Sequence, residues 1–200
     1  MTYYSPSGLC GKLGENIIEP LSKLGNKIDK LTSLINKKEN GENNLHKRTR
    51  RNMRKRCSLL RTKIKNIIYD LHIKVINFLC INFSTILLPN FNTSEMVKKK
   101  PKIIRKIKSK TVRNMLTSSH GKFTERLKEY CIRTKTQLIM VEEDYTSKTC
   151  TKCGRIDEKL GSKKKYNCEE CKMALDRDIN GARNILLKKL SGLDYISVYS

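Results

Sequence analysis

Four cysteines constrain this chain more than any other feature. Cys150 and Cys153 form one C-x2-C knuckle, Cys168 and Cys171 form another, and fourteen residues lie between the two. A C-x2-C turn aims two sulfurs the same way, and two such turns supply the four soft ligands of a tetrahedral zinc ion. The intervening arm is long enough to fold back, and Gly154 and Gly161 ease its turns. The competing readings are a pair of disulfides and an accident of spacing. No secretory leader precedes the cysteines, so a reducing, intracellular compartment is expected, which favours zinc over disulfides. Cys10, Cys57, Cys80 and Cys131 are isolated in sequence and read as small apolar residues.

Directly after the second knuckle comes Asp176-Arg177-Asp178-Ile179-Asn180-Gly181-Ala182-Arg183-Asn184-Ile185. Ile179, Ala182, Ile185 and Leu186 recur at helical spacing, and an Asp before such a run is a natural N-cap. A cap needs one carboxylate. Two of them flanking Arg177, with Asn180 and Asn184 on one face, exceed what a capped amphipathic helix requires.

The runs TSKTCTKCG, CEEC and DRDINGARNIL resemble the C-terminal end of TnpB, also called OrfB. These transposon-encoded, RNA-guided DNA endonucleases are related to the type V CRISPR nucleases, and Fanzors are their eukaryotic and giant-virus relatives. The resemblance is dense over residues 145–190. It implies a zinc ribbon inserted into a RuvC nuclease domain of RNase H-like fold, with the last metal-binding Asp just after the ribbon. On that pattern Asp178 is the catalytic Asp, with Asp176 the second choice.

Net charge points the same way. The formal charge of +24 and sequence pI of about 9.9 point to a polyanionic partner, and nucleic acid is the one expected. From Lys47 to Lys65 there are ten Lys or Arg and no acid. A solvated face mixes signs, whereas one sign repels itself until phosphates neutralise it. Lys47, Arg48, Arg50, Arg51, Arg54, Lys55 and Arg56 therefore read as phosphate contacts. A second run, Met96 to Thr124, is equally acid-free, and Lys98, Lys99, Lys100, Lys102 and Arg105 read as a nucleic-acid-contacting loop. Trp is absent and aromatics are few, so base stacking is not the dominant mode of binding. No apolar run has membrane-spanning length.

In chain order, residues 2–13 read as a β-hairpin around Ser5-Pro6-Ser7-Gly8. A helix is expected over 14–37, with Ile17, Leu21, Leu24, Ile28, Leu31 and Ile35 on one stripe, and a second over 46–82, with Met53, Cys57, Leu60, Ile64, Ile67, Leu71, Val75 and Phe78. The stripes suit an antiparallel helical hairpin. Ser84–Leu88, closed by Pro89, and Gln137–Val141 are strand-length apolar runs. Between them Thr111–Thr134 reads as one helix, with Val112, Leu116, Phe123, Leu127 and Cys131 inward and His120 a polar surface residue. The second strand ends in Glu142-Glu143-Asp144, the densest acidic cluster.

In TnpB-like proteins a metal-binding Glu ends the strand matching Ser84–Leu88. Here Pro89 stands at that position. In Fanzor-like relatives the Glu has moved to just before the TSKTC run, which implies Glu143, with Glu142 the second choice. The family's first RuvC strand, with its Asp in a segment like DPG-x-R-T-F, precedes the residues that match here.

The fold class expected is α/β: an RNase H-like (RuvC) sheet lacking its first strand, with a helical hairpin insert and an inserted zinc ribbon. Residues 1–144 form a partial RuvC domain with a basic hairpin at 14–82, residues 145–175 the ribbon, and residues 176–200 the final acidic motif and C-terminal helix. The implied partners are DNA and, in the full-length family, a guide RNA. The implied ions are structural Zn²⁺ and, where the site is complete, catalytic Mg²⁺. The reading is the C-terminal half of a TnpB- or Fanzor-like nuclease, binding nucleic acid but inactive alone. The alternatives are an active nuclease completed by a separate N-terminal part and a non-catalytic zinc-ribbon nucleic-acid-binding protein.

Overall fold

A computed structural model describes residues 1–39, 42–43, 46–90, 109–143, 145–161, 163–192 and 197–199. The backbone divides into two units. One comprises Met1–Leu13, Val75–Arg105 and His120–Ser200, the other Gly14–Lys74 and Lys106–Ser119.

The second unit is helical, as the apolar stripes require. After a 3-10 turn at Glu15–Ile17, helix α1 spans Ile18–Asn36 and α2 spans Lys47–Asn82. Every residue of the α1 stripe is at least half-buried, and Ile35 is buried. In α2 the expected stripe is likewise turned inward, with Cys57 and Val75 buried. Pro20 falls in the first turn of α1, where its missing N–H has no helical acceptor to lose. Strands β3 (Lys38–Glu39) and β4 (Glu42–Asn43) pair antiparallel between the helices. Gly14 has φ 79°, and a Cβ there would meet the Leu71 side chain at 2.6 Å. The start of α1 thus lies beside the later part of α2, while residues 37–46 join the opposite ends, so the two helices run antiparallel.

Helix α3 (Ser109–Ser118) belongs to this unit too. Arg113 pairs with Asp29 of α1, and His72 Nε2 of α2 lies 3.0 Å from the Ser118 carbonyl. The single helix expected over Thr111–Thr134 is therefore two. Ser119 breaks it with φ 48°, and α4 (His120–Thr134) starts afresh in the other unit. Leu116, expected inward, is 56% exposed, whereas Val112, Phe123, Leu127 and Cys131 are buried as their spacing required. His120 is also half-buried and stacks on Phe123 at 6.2 Å; burial lowers its pKa.

The first unit holds the strands. β1 (Thr2–Tyr4) and β2 (Cys10–Lys12) form the expected hairpin, closed by Ser5 N–H to Leu9 O at 2.8 Å and Gly8 N–H to Ser5 O at 3.0 Å. Tyr3 packs with Phe78 and Phe83 at 5.2 and 6.3 Å, pinning the hairpin to the end of α2. β5 (Thr85–Pro89) and β6 (Gln137–Val141) are parallel, with Pro89 opposite Val141. β9 (Ser197–Tyr199), unforeseen in the sequence, pairs antiparallel with the other side of β6. Flanked on both sides, β6 buries Leu138, Ile139, Met140 and Val141.

Helix α4 lays Phe123, Leu127 and Cys131 into the same core. Each fully buried aliphatic side chain of this kind, such as Ile76 or Leu127, contributes about 1.5–3 kcal/mol. The Cys80 and Cys131 sulfurs touch at 3.9 Å. Cys57 and Cys131 are buried as apolar residues should be, but Cys10 is exposed. Among the described residues no helix is long and apolar enough to cross a membrane.

Candidate metal centre and the helix latched to it

After β6 the chain enters a compact run that ends in β7 (Lys165–Asn167), β8 (Ala174–Asp176) and helix α5 (Arg177–Leu190). β7 and β8 pair antiparallel and bring the second knuckle back to the first. Gly154 N–H donates to the Cys150 carbonyl at 2.9 Å, and Cys168 N–H to the Met173 carbonyl at 2.8 Å, closing the two turns. Tyr166, fully buried, fills the space beside them with Leu160, and its hydroxyl donates to the Arg155 carbonyl at 3.3 Å.

The four sulfurs of Cys150, Cys153, Cys168 and Cys171 lie within 4.8 Å of one another. Cys150 Sγ is 3.5 Å from Cys171 Sγ, and Cys153 Sγ is 3.5 Å from Cys168 Sγ. A disulfide would need about 2.05 Å. A tetrahedral ion with bonds of about 2.3 Å to sulfur sets the edges near 3.8 Å, close to what is seen. The contacts cross between knuckles, as a tetrahedron demands. The four cysteines could therefore bind a metal ion such as zinc.

The electrostatics fit that role. The Cys171 and Glu170 backbone N–H groups donate to Cys168 and, against burial, hold its thiol down at about 6. Cys153 receives the Arg155 N–H, which pulls its pKa down, but burial and the three neighbouring sulfurs push it up to about 12. Thiolates this close repel one another until a cation joins them.

Helix α5 is fastened to this centre by amides. Asn180 and Asn184 are buried, one turn apart. Asn180 Nδ2 donates to the Thr149 carbonyl at 2.8 Å, and its Oδ1 accepts the Thr151 N–H at 3.4 Å. Asn184 Nδ2 donates to the carbonyls of Thr146 and Thr149, at 2.8 and 2.6 Å. Thr146 in turn donates to the Glu143 carbonyl through its N–H (3.1 Å) and hydroxyl (2.7 Å). Arg177 N–H donates to the Lys164 carbonyl at 2.9 Å, and Arg177 Nη1 to the Gly161 carbonyl at 3.4 Å. The end of β6, the first knuckle and the carboxylate-bearing helix thus form one hydrogen-bonded frame. The i, i+4 spacing of the two asparagines was visible in the sequence, but their partners were not.

The two aspartates differ in role. Asp176 is the N-cap of α5, its Oδ1 accepting the N–H groups of Asp178 (2.9 Å) and Ile179 (3.3 Å). Its Oδ2 takes Lys12 Nζ at 2.7 Å. The Lys12 hydrogen bond is the main reason its pKa is lowered. A carboxylate depressed in the folded state adds stability above its unfolded value of about 4 and loses it as pH falls through the folded one. Asp178 is exposed, its Oδ1 3.6 Å from Arg177 Nη2. Glu142 and Glu143 are exposed just past β6. Among the described residues the four cysteines are the only three-or-more cluster of metal-ligand type, and the four carboxylates do not form one. Lys47, Arg48, Arg51, Arg54, Lys55 and Arg56 are exposed and Arg50 half-buried along α2. Lys98, Lys99, Lys100, Lys102 and Arg105 lie outside the described residues.

A four-thiol cluster thus lies between a core strand and a carboxylate-capped helix, and residues 120–185 match the Cas12f1-like TNB domain family. The chain is TnpB-like, and it corresponds to part of such a protein. It is 36% identical over 160 residues to a TnpB-like protein of Acanthamoeba polyphaga mimivirus, covering 80% of this chain and 29% of that one. A putative transposase of Paramecium bursaria Chlorella virus 1 is 33% identical over 188 residues, covering 94% of this chain and 40% of the relative. A mimivirus putative transposase is 32% identical over 181 residues, 90% of this chain and 35% of its own length.

The asparagine latch is directly testable. Asn180→Ala and Asn184→Ala should each cost about 1–3 kcal/mol in urea denaturation, because they strand ribbon carbonyls without a donor. Gly181→Ala serves as the control. Its Cβ would sit 3.7 Å from Ser147, an ordinary contact, so it should be neutral or stabilising by up to about 1 kcal/mol.

Proposed function

We propose that this chain is the ribbon-bearing part of a RuvC-type, RNA-guided DNA endonuclease of RNase H-like fold, and that its own contribution is to bind nucleic acid. The observation that carries the reading is the face of α2. Of its ten Lys and Arg between 47 and 65, nine are exposed and one is half-buried, with no acid among them. The first turn of α2 also lacks an acid, although the positive end of a helix disfavours cations. A face that repels itself and opposes its own helix dipole is stabilised by phosphates.

The RNase H-like order is supported by α5. It packs against β1 of the hairpin and against β5 of the parallel sheet, the two strands that order would separate by one further strand. The relocated glutamate is supported by register. Pro89 stands opposite Val141, so the residues after Val141 leave the sheet at the rim where the family's Glu is expected. RuvC-type cleavage uses two Mg²⁺ ions held by three carboxylates. Glu143 and Asp178 are the two we assign. The described carboxylates do not complete that set, so no cleavage step is attributed to this chain by itself.

The ribbon we assign to structural zinc. Protein prepared without chelators should carry one zinc per chain by elemental analysis. Cys168→Ser should lose it and unfold the ribbon, while the circular dichroism of α1 and α2 persists; zinc-free, folded wild-type protein would refute the assignment.

Binding should weaken steeply with salt. Changing Arg50, Arg51, Arg54 and Lys55 together to Ala should flatten the log–log slope by about 0.7–0.9 for each phosphate left without its cation. A slope unchanged in that variant would refute the assignment of α2.

In a form of the protein that cleaves DNA, Glu143→Ala and Asp178→Ala should each slow Mg²⁺-dependent nicking by about a hundredfold or more. Asp176→Asn keeps an equally good N-cap and should change the rate far less. Robust nicking by the Glu143 variant would overturn the relocated glutamate.

A further inference from the structure

Tyr145 is a poor residue for its place by every structural measure. Its φ is 61°, in the left-handed region that favours Gly and Asn. Of the four non-Gly described residues with positive φ it alone is aromatic. Its side chain is 61% exposed, so it adds little to any core. Yet the backbone there is held firmly. The Tyr145 carbonyl accepts the Lys148 N–H (2.9 Å), the Thr149 N–H (3.0 Å) and the Thr149 hydroxyl (2.9 Å). Thr149 is the residue both latch asparagines grip. Strain kept in a rigid frame, with an aromatic ring turned to solvent, points to a use for the ring.

The surroundings say which use. Lys148 Nζ lies over one face of the ring, 5.8 Å from its centroid, so a cation and an aromatic surface are held together. The ring is two residues past Glu143 and five before Cys150. We propose that Tyr145 is a stacking platform for one unpaired nucleobase of a single strand, with Lys148 taking the neighbouring phosphate. This rests on the nucleic-acid reading above and adds to it a contact with a base in place of a phosphate. Only an unstacked base offers its face to a side chain, so the ligand is single-stranded.

The chain has no tryptophan, which makes a clean probe available. In the full, zinc-loaded chain, Tyr145→Trp should be quenched on titration with a short oligothymidylate or oligouridylate, but not with an abasic strand of equal phosphate count. Tyr145→Asn, which suits a positive φ, should melt no lower than wild type. It should weaken binding of the base-bearing strand about five- to a hundredfold and leave the abasic strand unchanged. Tyr145→Phe should bind like wild type. Binding of the base-bearing strands without quenching, or equal loss on both strands in Tyr145→Asn, would overturn the platform and leave the phosphate-binding reading intact. Failure of wild type to bind any strand would overturn both.

Discussion

Two buried side-chain amides tie helix α5 to the cysteine cluster. Asn180 and Asn184 are withdrawn from water, and an amide withdrawn without partners is costly. Their partners are backbone groups of Thr146, Thr149 and Thr151, which belong to the first knuckle and the turn before it. The knuckle in turn keeps its shape through the sulfur cluster. The orientation of α5, and with it Asp178, is therefore tied to whether the four sulfurs are gathered. A metal ion at the cysteines would act as the fastening for this helix.

The helical unit obeys a different balance. Along α2 the apolar stripe and the cationic face share one helix, and only the stripe favours folding. Exposed pairs such as Lys74 with Asp70, or Lys23 with Glu19, are worth little individually. The inward-turned stripe, and the contact of His72 with the Ser118 carbonyl of α3, hold the helix while its other face stays in mutual repulsion.

Much of this was legible in the residues. The hairpin, the two long helices, the two strand-length apolar runs and the knuckles follow from periodicity, turn chemistry and spacing, because each is a local pattern; that the two strands pair in parallel was not legible. What escaped was set by tertiary contact. Ser119 is no evident helix breaker, so the split between α3 and α4 had no local mark, and Leu116 was assigned the wrong face. β9 is three residues long and gains its identity from β6. His120 looked like a surface residue because Phe123 covers it only in three dimensions. Asn180 and Asn184 stood out as an excess of polarity, but an amide's partner across some thirty residues leaves no trace in spacing.

The eight thiols are not chemically equivalent. Burial, and then the touching sulfur of Cys80, push Cys131 up to about 12, so at neutral pH it holds its proton. A protonated thiol is a poor nucleophile, since oxidants and electrophiles are attacked by the thiolate. The contact between α2 and α4 is thus shielded by its own acidity constant. Cys10, by contrast, is exposed on the hairpin. Cys131 thus stays a packing residue, protected by the burial it helps to create.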